Sequence, residues 1–290
     1  MSIHSRYRAG LWHPYEKPMY GVLLNPYHPL SYGLVGCWLF NESGGNIVYD
    51  LSGHGNHGTL GSGTVDYCPA WSIGKFGSAL RFDGSNDYVN CGNDDSVKPN
   101  HITISVWLKF DFVSYVNDRV VSKWWDGTSR SYEIYIATSE SESSVYFFIS
   151  TDGNSPSSDC HYSFTPYHGL WTHVAATYDG SIQRLYFNGS EVNSNSGESG
   201  DIYPNDADLI IGAQPRDASP TETLIHYFHG SIALVQIWKR HLHPSEIWQL
   251  YTDPFCMFYH PLEAELLYAA APPAGIVPQA MHHYRMLREV

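Results

Sequence analysis

Short runs of alternating apolar and polar residues, separated by turn-forming clusters, fill the chain between about residues 34 and 240. Ile102, Ile104, Val106, Leu108 and Phe110 share one face of such a run, while Thr103, Ser105, Trp107 and Lys109 take the other. A period of two is that of a strand, whose successive side chains point to opposite sides. Leu34–Phe40 is apolar, and Tyr132–Ala137, Val145–Ser150, Trp171–Tyr178, Arg184–Asn188, Leu209–Ala213 and Ser231–Trp238 extend the set. Gly-, Asn-, Asp- and Ser-rich stretches such as Thr151–Asp159 bound them, as turns bound strands. Many strands with almost no helical periodicity predict an all-β sandwich or jelly roll. One short helix is expected over Pro244–Tyr251, where Pro opens the first turn, Glu246 follows, and Ile247, Leu250 and Tyr251 recur at helical spacing.

The flanks read differently. Residues 1–33 are rich in Pro, Tyr and His with little periodicity, and residues 252–290 include Ala269-Ala-Ala-Pro-Pro-Ala-Gly. The expected organisation is an N-terminal arm over 1–33, a domain over 34–251 and a C-terminal tail over 252–290.

Composition narrows the partners. The 290 residues carry 16 Lys+Arg against 29 Asp+Glu, a formal charge of −13. Phosphate backbones and anionic membranes are bound by cationic surfaces, so neither nucleic acid nor membrane is expected as the main partner. A hydrophobic content of 43% with 15% aromatics can bury a large core and argues against disorder. No apolar run reaches the ~18 residues of a membrane span. The start, Met1-Ser-Ile-His-Ser-Arg-Tyr-Arg, lacks the apolar stretch of a secretory signal. Five cysteines stand far apart without a Cys-x-x-Cys, and buried thiols are expected, with one disulfide as the other option.

Candidate chemistry is sparse. Gly53-His-Gly-Asn-His-Gly58 matches G-x-G-x-x-G, but Thr59-Leu-Gly-Ser-Gly cannot propagate the helix that a dinucleotide site needs. His54 and His57 lack a third soft ligand nearby for zinc. Asp50 and Asn56, with Asn41, are candidate hard-oxygen ligands for a structural calcium ion. The other reading is that Asp50 and Asn56 hold the turn by side-chain to backbone bonds. No E-x-D occurs anywhere, and Glu133 is a lone acid on a strand, so a glycoside hydrolase with paired carboxylates is the less favoured function and no catalytic residue is assigned. Trp124, Trp125, Tyr115, Tyr162 and Tyr167, read as loop residues, are aromatic candidates for stacking on sugar rings, against the alternative that they are core or interface.

Six ordered motifs then suggest a family. Gly33-Leu-Val-Gly-Cys-Trp-Leu-Phe-Asn-Glu-Ser-Gly-Gly with Val48-Tyr-Asp-Leu-Ser-Gly-His-Gly-Asn-His-Gly, Ala79-Leu-Arg-Phe-Asp-Gly, Ile104-Ser-Val-Trp-Leu, Leu170-Trp-Thr-His-Val-Ala, Leu185-Tyr-Phe-Asn-Gly and Phe228-His-Gly-Ser-Ile-Ala-Leu-Val-Gln-Ile-Trp resemble a laminin-G-like domain. The resemblance implies a concanavalin A-like, two-sheet antiparallel jelly roll whose first and last strands are neighbours. It also implies a structural calcium site, although the family commonly has Asp where this chain has Asn41 and Ala233. Asp83-Gly84 and Asn188-Gly189 fit as hairpin-type dipeptides, and Asp179-Gly180 likewise separates two strands. The function expected from the resemblance is non-catalytic and adhesive, with glycans as ligands. The arms are similar to segments flanking such domains in bacteriophage proteins. They imply a virion component (capsid decoration or tail-associated) assembled in the host cytoplasm as a homo-oligomer, the arms wrapping self or virion subunits. The alternative is an extracellular carbohydrate-binding module.

Overall fold

The structure, a computed structural model, describes residues 16–111, 116–125, 129–139, 142–156, 158–164, 169–216 and 223–259. In chain order the strands are β1 (Leu34–Trp38), β2 (Ile47–Val48), β3 (Gly58–Leu60), β4 (Ala70–Ile73), β5 (Ser78–Asp83), β6 (Val89–Asn90), β7 (Ile102–Phe110), β8 (Asn117–Trp125) and β9 (Ser129–Thr138). They continue as β10 (Ser143–Ile149), β11 (Cys160–Ser163), β12 (Trp171–Tyr178), β13 (Gln183–Phe187), β14 (Ser190–Asn195), β15 (Ile210–Ile211), β16 (Gln214–Pro215), β17 (Leu224–Ile225) and β18 (His229–Trp238), followed by helix α1 (Pro244–Thr252).

Two antiparallel sheets face each other. The back sheet has the order β14-β13-β12-β7-β18-β5-β4, and the front sheet β11-β10-β9-β8-β15-β6-β3-β2. The long β18 pairs with β7 along one edge, and on its other edge serves β5 along its first half and β1 along its second, where Leu34 lies opposite Trp238. The first and last strands of the roll are therefore neighbours, as the resemblance implies. Gly36 is required at this crossing: a Cβ there would sit 2.4 Å from the Trp38 ring. Asn188 and Gly189 both adopt positive φ, and join β13 to β14 as the twist of a two-residue hairpin demands. Asp83-Gly84 differs from expectation. It leads from β5 in the back sheet toward β6 in the front sheet, and so turns the chain between layers instead of closing a hairpin.

Alternation explains the core. Ile102, Ile104, Val106, Leu108 and Phe110 of β7 meet Tyr132, Ile134, Ile136, Val145, Phe147 and Ile149 from the front sheet in one buried cluster. A second core lies on the other side of the back sheet. There Trp107, Ala175, Tyr186, Ala233 and Trp238 pack under Ile247 and Leu250 of α1, and under Leu30, Phe255, Met257 and Phe258 from the flanks. The helix starts where expected, with the Glu246 carboxylate accepting from the His243 amide at 2.8 Å.

The described parts of both flanks thus fold onto their own domain. Leu24 and Phe258 form an antiparallel bridge, the Asn25 amide donates to the Met257 carbonyl at 2.8 Å, and the Trp238 indole donates to the Leu30 carbonyl at 2.6 Å. Residues 16–33 and 252–259 close the back sheet, so these parts of the arms lie against their own domain. The rest of the arms, residues 1–15 and 260–290, lies outside the described residues. All five cysteines are free thiols, with Cys37, Cys91 and Cys160 buried.

Phe255 tests the second core. It is fully buried and meets the Phe76 ring edge-on at 5.3 Å. Phe255→Ala is expected to lower unfolding stability by about 3–5 kcal/mol, read from urea midpoints. A change near zero would mean that this flank does not seal the sheet.

Candidate functional site

The outer faces of the two sheets differ. That of the back sheet is closed by α1 and the flanks. That of the front sheet carries rings that keep part of their surface in solvent. Ile134 and Ile136 point into the core, so Glu133 and Tyr135 point outward; Val145, Phe147 and Ile149 likewise leave Tyr146 and Phe148 outward.

Strand register lines these side chains up. Arg119 lies opposite Tyr135, Tyr135 opposite Tyr146, and Tyr146 opposite His161, one position on each of β8, β9, β10 and β11. The Tyr135 and Tyr146 rings stack at 4.8 Å and 5°, Phe148 lies parallel to Tyr135 at 5.7 Å, and His161 stacks on Tyr146 at 5.0 Å. The Arg119 guanidinium covers Tyr135 at 4.3 Å. Because the rings stack across neighbouring strands, they stand upright and turn edges and phenol groups outward. Tyr135, Tyr146 and Phe148 are half-buried and His161 is exposed.

A buried ion pair anchors this row. Glu133 is 2% exposed and accepts from Arg119 Nε at 3.1 Å and from a second guanidinium nitrogen at 3.4 Å, with Ser122 Oγ at 3.5 Å. Burial raises the Glu133 carboxyl above its ordinary range, and Arg119 pulls it back. Burial also raises the Tyr135 and Tyr146 phenols, which therefore stay neutral hydrogen-bonding groups at physiological pH.

The residues singled out from sequence fall in several places. Trp124 and Trp125 end strand β8 rather than standing on a loop. Trp124 is 5% exposed, with Arg130 over its ring at 5.7 Å and Phe148 at 6.2 Å, so it borders the row at Phe148. Trp125 is half-buried, and its indole nitrogen has no hydrogen-bond partner among the described residues. Tyr162 turns inward on β11 against Phe187 at 5.3 Å and belongs to the core margin, because its neighbour His161 takes the outward position. Tyr115 and Tyr167 lie outside the described residues. Arg119, Tyr135, Tyr146, Phe148 and His161 were missed as site residues. Their signal was aromatic residues at the off-core positions of two amphipathic strands, where polar ones are usual.

The calcium candidates form no ion cage. One oxygen of Asp50 accepts from the Cys37 and Ser52 amides at 2.9 and 2.8 Å; the other accepts from Ser52 Oγ at 2.7 Å and the Asn56 amide at 3.0 Å. A carboxylate has about four lone-pair sites, and these donors fill them. The Asn56 amide group donates to the Val35 carbonyl and Ser96, and Asn41 donates to the Pro18 carbonyl on the N-terminal flank. Calcium needs roughly six to eight oxygens, and this donor set does not fit it. Asp50 and Asn56 hold the turn.

A family model described as the concanavalin A-like lectin/glucanases superfamily, of laminin-G type, matches residues 83–248. Pappalysin-1 of Mus musculus is 27% identical over 176 residues, which are 56% of this chain and 10% of that protein. The chain thus spans about a tenth of the length of this curated relative. Among solved structures, domain 4 of AbnA, a GH43 extracellular arabinanase from Geobacillus stearothermophilus in complex with arabinotriose, matches with a TM-score of 0.54 and 21% identity, covering 75% of this chain and 98% of that one. The binding domain of Paraclostridial Mosquitocidal Protein 1 matches with a TM-score of 0.56 and 16% identity, over 78% of this chain and 53% of that one. At these identities the structural likenesses show the fold.

Arg119→Met tests the ion pair. It leaves the buried Glu133 without its ion-pair partner, Arg130 acting only as a nearby charge, at an expected cost of about 3–5 kcal/mol near neutral pH. A carboxyl whose folded pKa is raised favours folding below its unfolded pKa and loses that contribution as pH rises. Removing Arg119 raises Glu133 further, so urea unfolding should show a larger deficit at pH 8 than at pH 5. Equal deficits at both would contradict the placement of the pair.

Proposed function

Because the chain belongs to the laminin-G-type family of the concanavalin A-like lectin/glucanase superfamily, we propose that it is a non-catalytic glycan-binding domain whose ligand lies on the outer face of the front sheet. The observation that carries this is the open aromatic row Tyr135–Tyr146–Phe148 beside Arg119 and His161, on a molecule that seals its other outer face with its own chain. Ring edges, phenol groups and a fixed guanidinium offer the mixture of apolar contact and hydrogen bonds that a sugar presents in return.

Glycoside hydrolysis in most families uses two carboxylates acting across one bond. Glu133 is buried, and the groups that set its charge besides burial are Arg119, Ser122 and Arg130. It serves as an anchor for the row. Binding of arabinotriose by the arabinanase domain belongs to that protein; here it makes short neutral oligosaccharides the first probes to try. Such a domain acts outside the cell that makes it, and no helix among the described residues is long and apolar enough to cross a membrane. Display on a bacteriophage particle is the finer version of the proposal. It rests on the resemblance of the arms alone, and the described arm residues lie against the domain's own back sheet. Glycan binding does not require it.

A glycan array is the test. The full chain is expected to bind a restricted set of oligosaccharides, and Tyr146→Ala with Phe148→Ala to lose at least about tenfold in affinity while circular dichroism stays that of a β fold. Binding unchanged in the double variant, or absent from the array altogether, would overturn the assignment.

A further inference from the structure

The front sheet holds a second feature on the same outer face. A depression of about 440 Å³ opens beside β3 and β6, lined by His57, Thr59, Ser62, Asn90, Asn93 and Asp94 among others. Leu60 and Val89 point into the core, so Thr59 and Asn90 point outward with the aromatic row. Register connects the two places directly. Thr59 lies opposite Asn90, Asn90 opposite Ile210, Ile210 opposite Ser122, Ser122 opposite Glu133, and Glu133 opposite Phe148. One cross-strand line thus runs from the depression to the rings, five strand spacings or about 24 Å.

We infer that this depression is a second sugar subsite, for the polar edge of a neutral sugar unit; the inference rests on the glycan-binding reading above. Its hydrogen-bonding groups are of both kinds. His57 Nδ1 accepts from the Asp50 amide at 3.1 Å, so in the neutral ring the proton sits on Nε2, which is a donor. Tyr49 holds the ring edge-on at 5.2 Å. Asp94, exposed at the rim, accepts from the Ser96 amide at 2.8 Å and from the Ser96 hydroxyl, and a carboxylate's remaining lone pairs can accept two more bonds. The hydroxyls of Thr59 and Ser62 have no partner among the described residues, and can donate or accept. The floor is fixed: the Asn93 side chain accepts from buried Lys123 at 2.6 Å and donates to the Asp206 carbonyl at 3.0 Å. A donor, a carboxylate and two hydroxyls around a rigid floor match neighbouring hydroxyls of a sugar, and the lining holds no Trp, Tyr or Phe ring to take its apolar face. The Gly53–Gly58 loop and Asp50 acquire a purpose here, since they set the position of His57.

Amide chemical-shift mapping of the labelled full chain with arabinotriose tests this, with laminaritriose as a second probe. The expected result is two separate groups of shifted signals, one at Tyr135–Phe148 and one at His57–Thr59 and Asn90–Asp94. His57→Ala is expected to weaken the second group by at least about tenfold while the first is unchanged. Asp94→Asn should do the same; its side-chain oxygen can still cap the Ser96 amide, so a folding defect is avoided. Shifts confined to the rings would overturn the subsite and leave the glycan-binding proposal standing. Shifts at neither place with either probe would remove the support for both. A second group that persists unchanged in both variants would also overturn the assignment of these residues.

Discussion

Burial of Trp107, Trp238 and Tyr186 beneath the helix and the two flanks decides how this molecule can be used. A two-sheet sandwich has two inner faces, which cover each other, and two outer faces, which do not. Here the back sheet carries large apolar side chains on its outer face as well, and exposing them would be costly. The chain covers them with its own segments: α1, residues around Leu30 and residues 255–258. Bonds between the flanks, from Asn25 to Met257 and from Tyr259 to Leu23, tie that cover shut. A ligand must then be met on the front sheet or at the rims.

The front sheet is built for contact without being greasy. Its outward rings stack on one another, which limits the apolar surface each shows to water and holds their rotamers. Arg119 lies between Tyr135 and Glu133, so a single side chain fixes both the end of the ring stack and the charge beneath it. A buried pair of this kind contributes little net stability, yet removing one partner leaves a bare charge. Its role is therefore best read as geometric, holding β8 against β9 in one arrangement.

Much of the fold was legible in the sequence, because alternation in β7, β9, β10 and β12 is strong and the hairpin dipeptides at Asp179-Gly180 and Asn188-Gly189 carry their own backbone chemistry. β8 was not recognised as a strand: two bulges, at Arg119/Val121 and Lys123/Trp124, break its period. The same irregularity made Trp124 and Trp125 look like loop aromatics. The place of the flanks could not be read because they lack periodicity; their described parts are held by tertiary contacts with Trp238 and Phe76, which no local pattern announces. The Asp50 loop was found for its residues, but whether its oxygens face an ion or the backbone depends on amides brought from residue 37. The ring row was hidden for a similar reason, since Tyr135, Tyr146 and His161 become neighbours only through strand register.

A crystal structure of the full chain with an oligosaccharide that it binds tests the central claim most directly. Sugar density across β9 and β10, in contact with Tyr135, Tyr146 and Phe148, is the predicted result. Density on the helix side, with the ring row bare, would contradict the account.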